Sequence, residues 1–435
     1  MKRPSTDPRE IAIGLRYYGT DTPGIGGELK LEPHFFKVDE IAHYPVPRPD
    51  GRTTIARIES YDIEQNELIQ RLGAALGIPP SSIGFAGTKD RRALTTQLVS
   101  LDVPEERLRG LTLSGVRVLE SYRADDALFL GYLYGNLFEL TVSRVHLSEE
   151  EVLQRTEATI LELKEAGGFP NYFGPQRFGE IRPVTHLVGR ALVRESVEAA
   201  VQVYLTASCE GENLEGAQAR REYAEHHDPE RALKDYPRNL KFERVLLDRL
   251  SRGNSPERAF RALPRHLKTL FVHAYQSYLF NEYLSQRLEE GLSLDVPVVG
   301  DMLQRYGPEG LPGNLPPVPV TADNFPEVEK MVLSGRARVA APLVGRDTPM
   351  LEGDPGRILE KIVEREGVQR AQFQLPDLPR LSSAGTYRSL LARLPYYFFR
   401  GRVTPRGEDA YTLRFPLDKG VYATVLLREF MKERA

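Results

Sequence analysis

Apolar and polar positions alternate in short periods through much of the first 185 residues, a pattern typical of strands. In GGELKLEPHFFKVDEI, the apolar positions at 29 and 31 and at 36 and 38 predict two strands that are separated by a turn at Pro33. TTIARIES predicts a third strand, and SIGFAG predicts a short buried strand that runs into a turn. The beginning of the chain is therefore expected to form a sheet.

Three other segments predict helices. The first repeats apolar residues every three or four positions, at Leu68, Ile69, Leu72, Ala75 and Leu76. This spacing predicts a helix over 66–76, with Asn66 as its cap and Gly77 at its end. Ser148 and Glu151 predict the capping box of a second helix. PRHLKTLFVHAYQSYLFNEYLSQRLEEG predicts the longest helix of the chain.

The hydrophobic pattern changes twice along the chain. From about Ser196 helical patterns dominate, and they end at the Pro/Gly-rich segment YGPEGLPGNLPPVPVTADN, which predicts an irregular connection. The last fifty residues return to strand patterns in YYFFRGRV and DAYTLRFPL, followed by a helical YATVLLREFMKERA. A β-rich start, a helical middle and a β-rich end indicate one domain inserted into another.

Composition supports a folded protein of two domains. The chain has 435 residues, of which 41% are apolar and 27% are charged. Its lone Cys209 excludes an internal disulfide and a thiolate metal cluster, and it fits a reducing compartment. The first residues lack the apolar core of a signal peptide, and no apolar run approaches the length of a membrane span. We therefore expect a cytoplasmic protein without a membrane partner.

Net charge alone does not predict a polyanionic partner. Lys and Arg number 58 against 61 for Asp and Glu, which gives −3. The segment 231–268 differs, because it carries eleven basic residues and four acidic ones, a net +7. This segment could be a phosphate-binding surface or a solvated helical face, and the sequence favours neither.

Several common catalytic systems lack their motifs. The eight histidines include no HExxH pair, no GxSxG elbow is present, and the acidic surroundings of Cys209 disfavour a thiolate nucleophile. GFAGTKD lacks the spacing and the ending of a phosphate-binding loop, and GTDTPGIGGE lacks the strand and helix of a dinucleotide fingerprint.

The segment SIGFAGTKDRRALTTQ places an aspartate among cations. Asp90 follows a predicted buried strand and has Lys89, Arg91 and Arg92 beside it. Nearby cations keep a carboxylate ionised, and an ionised, partly shielded carboxylate can act as a nucleophile or a base. The alternative is a turn aspartate in surface ion pairs, which the local sequence alone favours.

A second segment, PNYFGPQRFG, interleaves aromatic residues with amide and guanidinium groups. Aromatic faces such as that of Phe173 can stack on exposed bases, while Asn171 and Arg177 can bind base edges or phosphates. The alternative is that the phenylalanines only anchor the loop to the core, which we expect for Phe178.

Six segments, in order along the chain, resemble the TruD family of tRNA pseudouridine synthases. They are GELKLEPHFFKVDEI, FAGTKDRRALTTQ, GYLYGNLFELTVSR, NYFGPQRFG, AYQSYLFNEYLSQR and LRFPLDKGVYATVLLREFMK. The six segments are distributed along nearly the whole chain, and the ordered set is far more specific than any one segment. His34, Phe35 and Val421 depart from the residues common in the family, and we expect them to affect substrate detail rather than reaction type.

The resemblance implies a role for particular residues. Asp90 matches the catalytic aspartate, and Lys30 matches the active-site lysine of the first strand. Asn171 and Phe173 match active-site residues of the NYFG loop, where Phe173 would pack on the target uracil. The matching segments add three further candidate substrate-binding residues, which are Gly87, Lys89 and Arg177.

The resemblance also implies a fold and a reaction. The fold is α+β: a catalytic domain with a mixed, largely antiparallel sheet and flanking helices (residues 1–197 and 389–435), interrupted by an inserted α+β TRUD domain (198–388). The expected reaction converts a flipped-out uridine, usually uridine 13 of the tRNA D-arm, to pseudouridine without a cofactor or a metal ion. Asp90 would attack ribose C1′ or remove a 2′ proton to give a glycal, and the sequence does not choose between these routes.

Two other classes of function compete with this interpretation. One is a non-catalytic tRNA-binding protein or RNA chaperone that uses the same cleft, and it would be marked by loss of the nucleophile. The other is an RNA enzyme with different chemistry, such as a nuclease or a methyltransferase. A metal-dependent nuclease needs clustered carboxylates and a common methyltransferase needs a cofactor loop, and neither pattern is present. The sequence leaves the oligomeric state and the set of tRNA substrates open.

Overall fold

A computed structural model describes residues 2–30, 32–89, 92–307, 313, 315–396, 399–403 (backbone only) and 409–432. Its contacts divide the chain into two compact units. The helical unit comprises residues 1–21 and 166–392, and the sheet unit comprises residues 22–165 and 393–435. These limits differ from the predicted domain limits, because residues 1–21, 166–197 and 389–392 group with the helical unit. The functional assignment of the domains stays a prediction.

The described strands and helices are numbered in chain order. The strands are β1 (Phe36–Ala42), β2 (Thr53–Tyr61), β3 (Gly84–Phe85), β4 (Leu94–Leu101), β5 (Val116–Ala124), β6 (Leu133–Ser143), β7 (Phe169–Pro170), β8 (Met302–Arg305), β9 (Val318–Pro319), β10 (Ala337–Leu343), β11 (Thr386–Ser389), β12 (Leu391–Ala392), β13 (Phe399–Val403) and β14 (Ala410–Asp418). The helices are α1 (Pro8–Ile11), α2 (Gln65–Leu76), α3 (Glu149–Glu165), α4 (Thr185–Arg194), α5 (Val197–Thr206), α6 (Leu214–His226), α7 (Pro229–Asp235), α8 (Lys241–Ser251), α9 (Pro256–Arg261), α10 (Arg265–Glu289), α11 (Phe325–Leu333), α12 (Gly353–Glu366) and α13 (Ala423–Met431).

The sheet unit is built on one sheet with the order β13-β14-β6-β1-β4-β2-β5, with β3 beside β4. Only the β1–β4 pair is parallel among the described strands, which confirms the predicted mixed, largely antiparallel sheet. Strand β4, LTTQLVSL, is rich in β-branched and apolar residues and is buried on both faces, as a central strand requires. The apolar face of α2 packs on this sheet through Leu68 and Leu72.

The helical unit contains most of the helices and two small sheets. One sheet has the order β11-β10-β8-β9, and the other pairs β12 with β7. Helix α10 is the long helix that the sequence predicts, and most of its residues from Phe271 onward are buried. The pair β7–β12 fixes the start of the NYFG loop, because Asn171 donates its backbone N–H to the carbonyl of Leu390 at 2.8 Å.

Helix ends show where the sequence prediction was right and where it was wrong. The capping box of α3 is confirmed: Glu151 donates its N–H to Ser148 Oγ at 3.3 Å, and its carboxylate accepts from the Ser148 N–H at 2.9 Å. The cap of α2 is Glu64 rather than Asn66, because the Glu64 carboxylate accepts from the N–H groups of the first turn. Gly77 ends α2 in the left-handed conformation, as predicted.

The first predicted strand is wrong in the described residues. Around Leu29 the chain makes only an isolated bridge between Glu28 and Ser143, and a 3-10 turn over Pro33–Phe35 then leads into β1. The irregular path has a local cause, because Lys30 adopts a φ of 59°, which a regular strand does not allow.

Candidate active site

The segment after β3 carries the predicted catalytic motif in the sheet unit. Gly87 lies in this segment against β6, and a Cβ at Gly87 would come within 2.7 Å of Leu133 Cδ2. Glycine thus allows the segment to pack closely on the start of β6. The predicted contact of Gly87 with substrate stays a prediction.

Lys89 forms a buried ion pair with Glu40 of β1. Its Nζ lies 2.6 Å from Glu40 Oε2, and the two side chains are only 3% and 2% exposed. The other carboxylate oxygen of Glu40 accepts from the N–H of Leu98 in β4 at 3.2 Å. The pair therefore ties the segment after β3 to the two central strands. The predicted contact of Lys89 with substrate stays a prediction, and in this structure its ammonium binds Glu40.

Asp90 and Arg91 lie outside the described residues, but residues on both sides of them are described. Lys89 precedes them in its ion pair, and Arg92 follows them and donates from Nη2 to the carbonyl oxygen of Lys30 at 3.2 Å. The backbone of Lys30 thus lies beside the side chain of Arg92, two positions after Asp90.

Lys30 itself is buried in the sheet unit. It is 6% exposed, and its Nζ lies 4.5 Å from the centre of the Phe36 ring at the start of β1. A cation over an aromatic face is attracted by the ring's quadrupole, which partly offsets the loss of water. A lysine with positive φ costs about 1–3 kcal/mol of backbone strain and persists only where its surroundings hold it. Such strained residues cluster at functional sites.

Asn171 is held rigidly in the helical unit. Its side-chain amide donates to the carbonyl of Ser389 at 2.9 Å, and its Oδ1 accepts from Arg388 Nη2 at 2.6 Å. Arg388 also donates from Nε to the backbone carbonyl of Asn171 at 2.9 Å. The amide is 5% exposed, so these bonds fix its orientation in a buried site.

Phe173 lies in an aromatic and cationic cluster of the helical unit. Its ring meets Phe280 of α10 edge to face at 5.7 Å, and the Arg388 guanidinium lies 4.2 Å from its centre. Asn281 accepts from the Phe173 N–H at 2.8 Å and so fixes the backbone. Phe173 is 6% exposed, and its predicted stacking on uracil stays a prediction.

Arg177 joins the same cluster from the other end of the loop. Its guanidinium lies 5.5 Å from the Phe173 ring centre, and its Nε donates to Ser277 Oγ of α10 at 3.1 Å. The helical unit therefore brings together its three predicted site residues, Asn171, Phe173 and Arg177. Phe178 is fully buried, in agreement with the anchoring role expected for it.

Two residues that hold candidate site residues in place were not identified from the sequence. The sequence pattern could have identified Glu40, because it shares the buried face of β1 with Phe36, Val38 and Ala42. An acid at such a position needs a buried partner. Arg388 had no local signal, because it contacts Asn171 across 217 positions of sequence.

The basic segment 231–268 forms α7, α8, α9 and the start of α10, and most of its cations are exposed. Some are engaged within the protein: Arg252 pairs with Asp248 at 2.8 Å, and Arg244 donates to the carbonyls of Leu233 and Tyr236, both at 2.7 Å. Phosphate binding by this surface stays a hypothesis.

In the described part of the chain, no three His, Cys, Asp or Glu side chains are grouped so that they could hold a metal ion. None of the helices found there is both long and apolar enough to cross a membrane.

Comparison with known proteins gives consistent matches along the chain. The family model described as tRNA pseudouridine synthase D (TruD) matches residues 12–430. A "Probable tRNA pseudouridine synthase D" of Methanococcoides burtonii is 38% identical over 426 residues, which are 97% of each chain. A protein of Pyrococcus furiosus with the same description is 38% identical and covers 96% of this chain and 98% of its own. A crystal structure of a Methanosarcina mazei chain with the TruD description superposes with a TM-score of 0.83, at 35% identity and 98% coverage of both chains.

Proposed function

The chain belongs to the tRNA pseudouridine synthase D (TruD) family, and from this premise we propose that it converts uridine 13 in the D-arm of tRNA to pseudouridine, with Asp90 as nucleophile or base. Family membership makes it a pseudouridine synthase, an isomerase that acts on tRNA. The observation that supports the finer proposal is the segment FAGTKDRRALTTQ, which resembles the segment around the catalytic aspartate of the family whose model matches residues 12–430.

The reaction breaks the N1–C1′ bond of the nucleotide and joins the base again through C5. A base inside a folded arm must first be flipped out, which costs a few kcal/mol. Stacking of the free base on an aromatic ring returns about 1–3 kcal/mol, and we assign this role to Phe173. Two hydrogen bonds support this assignment, one donated by Arg388 to Asn171 and one accepted by Asn281 from the Phe173 N–H, because they hold both loop residues in place before any substrate binds.

The carboxylate of Asp90 attacks C1′ or takes the 2′ proton, and both routes need it ionised. We assign to Lys30 the task of keeping it so and of balancing charge as the uracil anion leaves. The buried ammonium of Lys30 and the bond from Arg92 to the Lys30 carbonyl support this assignment. We assign a positioning role to Lys89, since its ion pair with Glu40 holds the residue directly before Asp90.

The substitution Asp90→Asn tests the proposed chemistry. It removes the carboxylate and keeps the side-chain volume, so single-turnover formation of pseudouridine on an unmodified tRNA transcript is expected to fall by at least about 1,000-fold. The dissociation constant for tRNA should change less than about threefold. Asp102→Asn is the matched control, since Asp102 is an exposed acid of the sheet unit, and it should keep wild-type activity.

Normal pseudouridine formation by Asp90→Asn would contradict the catalytic assignment. If instead the wild-type protein binds tRNA tightly and forms no pseudouridine in any transcript, the chain is a non-catalytic tRNA-binding protein.

A further inference from the structure

Three aromatic residues with exposed rings in contact form a cluster in the sheet unit, which we call the aromatic lip: His43, Phe129 and Tyr132. Phe129 is 60% exposed, and Tyr132 is 36% exposed. Leu130, between them in sequence, is 70% exposed. Exposure of large aromatic side chains to water is unfavourable, and a partner that covers them lowers the free energy. The cluster therefore indicates a binding surface.

The aromatic lip has a fixed internal geometry. The Tyr132 ring lies edge to face between Phe129 at 5.8 Å and His43 at 5.6 Å, with interplanar angles of 81° and 78°. Backbone bonds fix the same residues, because the N–H of Tyr132 donates to Phe129 at 3.2 Å and the N–H of His43 donates to Tyr132 at 2.9 Å. The rings are therefore arranged before any partner binds, which reduces the entropic cost of binding.

The lip is attached directly to the segment that carries the catalytic motif. Gly131 donates its N–H to the carbonyl of Ala86 at 3.2 Å, and Leu133 packs on Gly87. Lys89, which directly precedes Asp90, is two residues beyond Gly87. The lip is thus adjacent to the described part of the segment that carries the motif, residues 86–87.

We propose that the aromatic lip is a base-stacking subsite for nucleotides that flank the target uridine in the tRNA. This inference rests on the proposed function, because it takes the segment beside the lip to be catalytic. Flipping the target out of the folded arm unstacks its neighbours, and exposed aromatic faces are the groups that proteins use to hold unstacked bases. The lip would supply that stacking without reading a particular sequence, since every base has a π face.

A cation beside the lip fits the backbone of the same strand. Lys419 is exposed, its N–H donates to the carbonyl of Tyr134 at 2.8 Å, and its Nζ lies 3.5 Å from the carbonyl of Gly131. Among the described residues this ammonium donates to the Gly131 carbonyl and forms no ion pair, so its remaining N–H groups can bind a phosphate. Aromatic faces with an adjacent cation match single-stranded RNA better than an apolar protein surface.

The test measures tRNA affinity and single-turnover pseudouridine formation for Phe129→Ala/Tyr132→Ala. The dissociation constant for an unmodified tRNA transcript should rise about 10-fold or more, the loss expected for one or two stacked bases. The salt dependence of binding should stay unchanged, because no charge is removed. Lys419→Gln should instead lower the salt slope by about one ion.

Two further variants separate stacking from folding and from general hydrophobicity. Tyr132→Phe keeps the ring and should bind as the wild type does, whereas Tyr132→Leu keeps apolar area and should bind as weakly as Tyr132→Ala. Leu161→Ala removes a side chain of α3 that is 59% exposed and should leave affinity unchanged. The thermal transition of every variant should match that of the wild type, since these side chains are exposed.

Unchanged tRNA affinity in the double variant would overturn the proposal. A shift of the protein from dimer to monomer in that variant, with unchanged tRNA affinity, would show that the lip binds a second copy of the chain and would also overturn it. Because affinity is measured separately from catalysis, a wild-type protein that binds tRNA through the lip and forms no pseudouridine would contradict the proposed function alone.

Discussion

The buried Lys89–Glu40 pair has the clearest energetic consequence of any single contact near the catalytic motif. Both charges are removed from water, and among the described residues their mutual attraction and the Leu98 N–H compensate for the loss. A buried ion whose partner is removed is costly, so the two residues depend on each other. This dependence can be measured, because one variant breaks the pair and another removes both charges.

Glu40→Gln is expected to destabilise the protein by about 3–5 kcal/mol, because it removes the buried carboxylate that pairs with the Lys89 ammonium. The double variant Glu40→Gln/Lys89→Met should regain most of that stability in denaturant unfolding. If the pair also positions Asp90, the double variant should remain at least about 10-fold slower than wild type in single-turnover pseudouridine formation despite its restored stability. Wild-type activity in the double variant would show that the pair serves stability alone.

His186 is a second buried ionisable residue with a measurable effect. Its ring stacks on Tyr278 at 5.0 Å and meets Phe178 edge to face at 5.3 Å in the helical unit. Burial lowers the pKa of His186 from 6.5 to about 3, so the folded state keeps this imidazole neutral where the unfolded chain protonates it. Its contribution to stability is therefore complete above pH 6.5 and is lost as the pH falls toward 3.

His186→Gln tests this linkage. Between about pH 6 and 4 the unfolding free energy of the wild type should fall more steeply than that of the variant, by about 1.4 kcal/mol per pH unit. The comparison uses denaturant unfolding at several pH values. Equal slopes for the two proteins would contradict the assignment of a neutral, buried imidazole.

At the scale of elements, packing of α4 against α10 depends on a glycine. A Cβ at Gly189 of α4 would overlap the carbonyl oxygen of Phe271 in α10. Only the absence of a side chain lets the two helix backbones approach this closely. Helix α10 also carries Asn281 and Phe280, which hold Phe173, so this contact bears on the position of the NYFG loop.

Gly189→Ala should therefore destabilise the protein by about 1–3 kcal/mol, because one of the helices must shift. The matched control is Gly216→Ala in α6, where the nearest atom to a new Cβ is the flexible Glu212 Oε1 at 3.4 Å. The control should be neutral or should stabilise the protein by up to about 1 kcal/mol, since alanine favours helix. Equal thermal transitions for the two variants would show that α4 and α10 tolerate separation.

The sequence predicts the elements better than the contacts that make the site. The apolar pattern predicts α2, α10 and five of the fourteen described strands (β1, β2, β3, β13 and β14), since these depend on local sequence. It does not predict the irregular backbone at Lys30, which depends on the fold around it. It also misses Arg388, whose partner Asn171 is distant in sequence, so that no local pattern records the contact. The predicted site residues came from motifs, and the residues that hold them came from the structure.

At the scale of the whole molecule, charge distribution is more informative than net charge. The total of −3 coexists with a basic segment of net +7 over 231–268, and most cations of that segment are exposed. A protein of a tRNA-modifying family therefore needs no overall positive charge. Each of the two units is built from two separate stretches of chain, and within the helical unit Arg388 contacts Asn171 across 217 positions of sequence.

The proposed activity is tested by mapping pseudouridine in an unmodified tRNA transcript that has been treated with the purified protein. We expect one pseudouridine at uridine 13 of the D-arm, none in a transcript with cytidine at that position, and none when Asp90→Asn replaces the wild type. Formation of no pseudouridine in any transcript by the wild-type protein, or undiminished formation by Asp90→Asn, would contradict the proposed function.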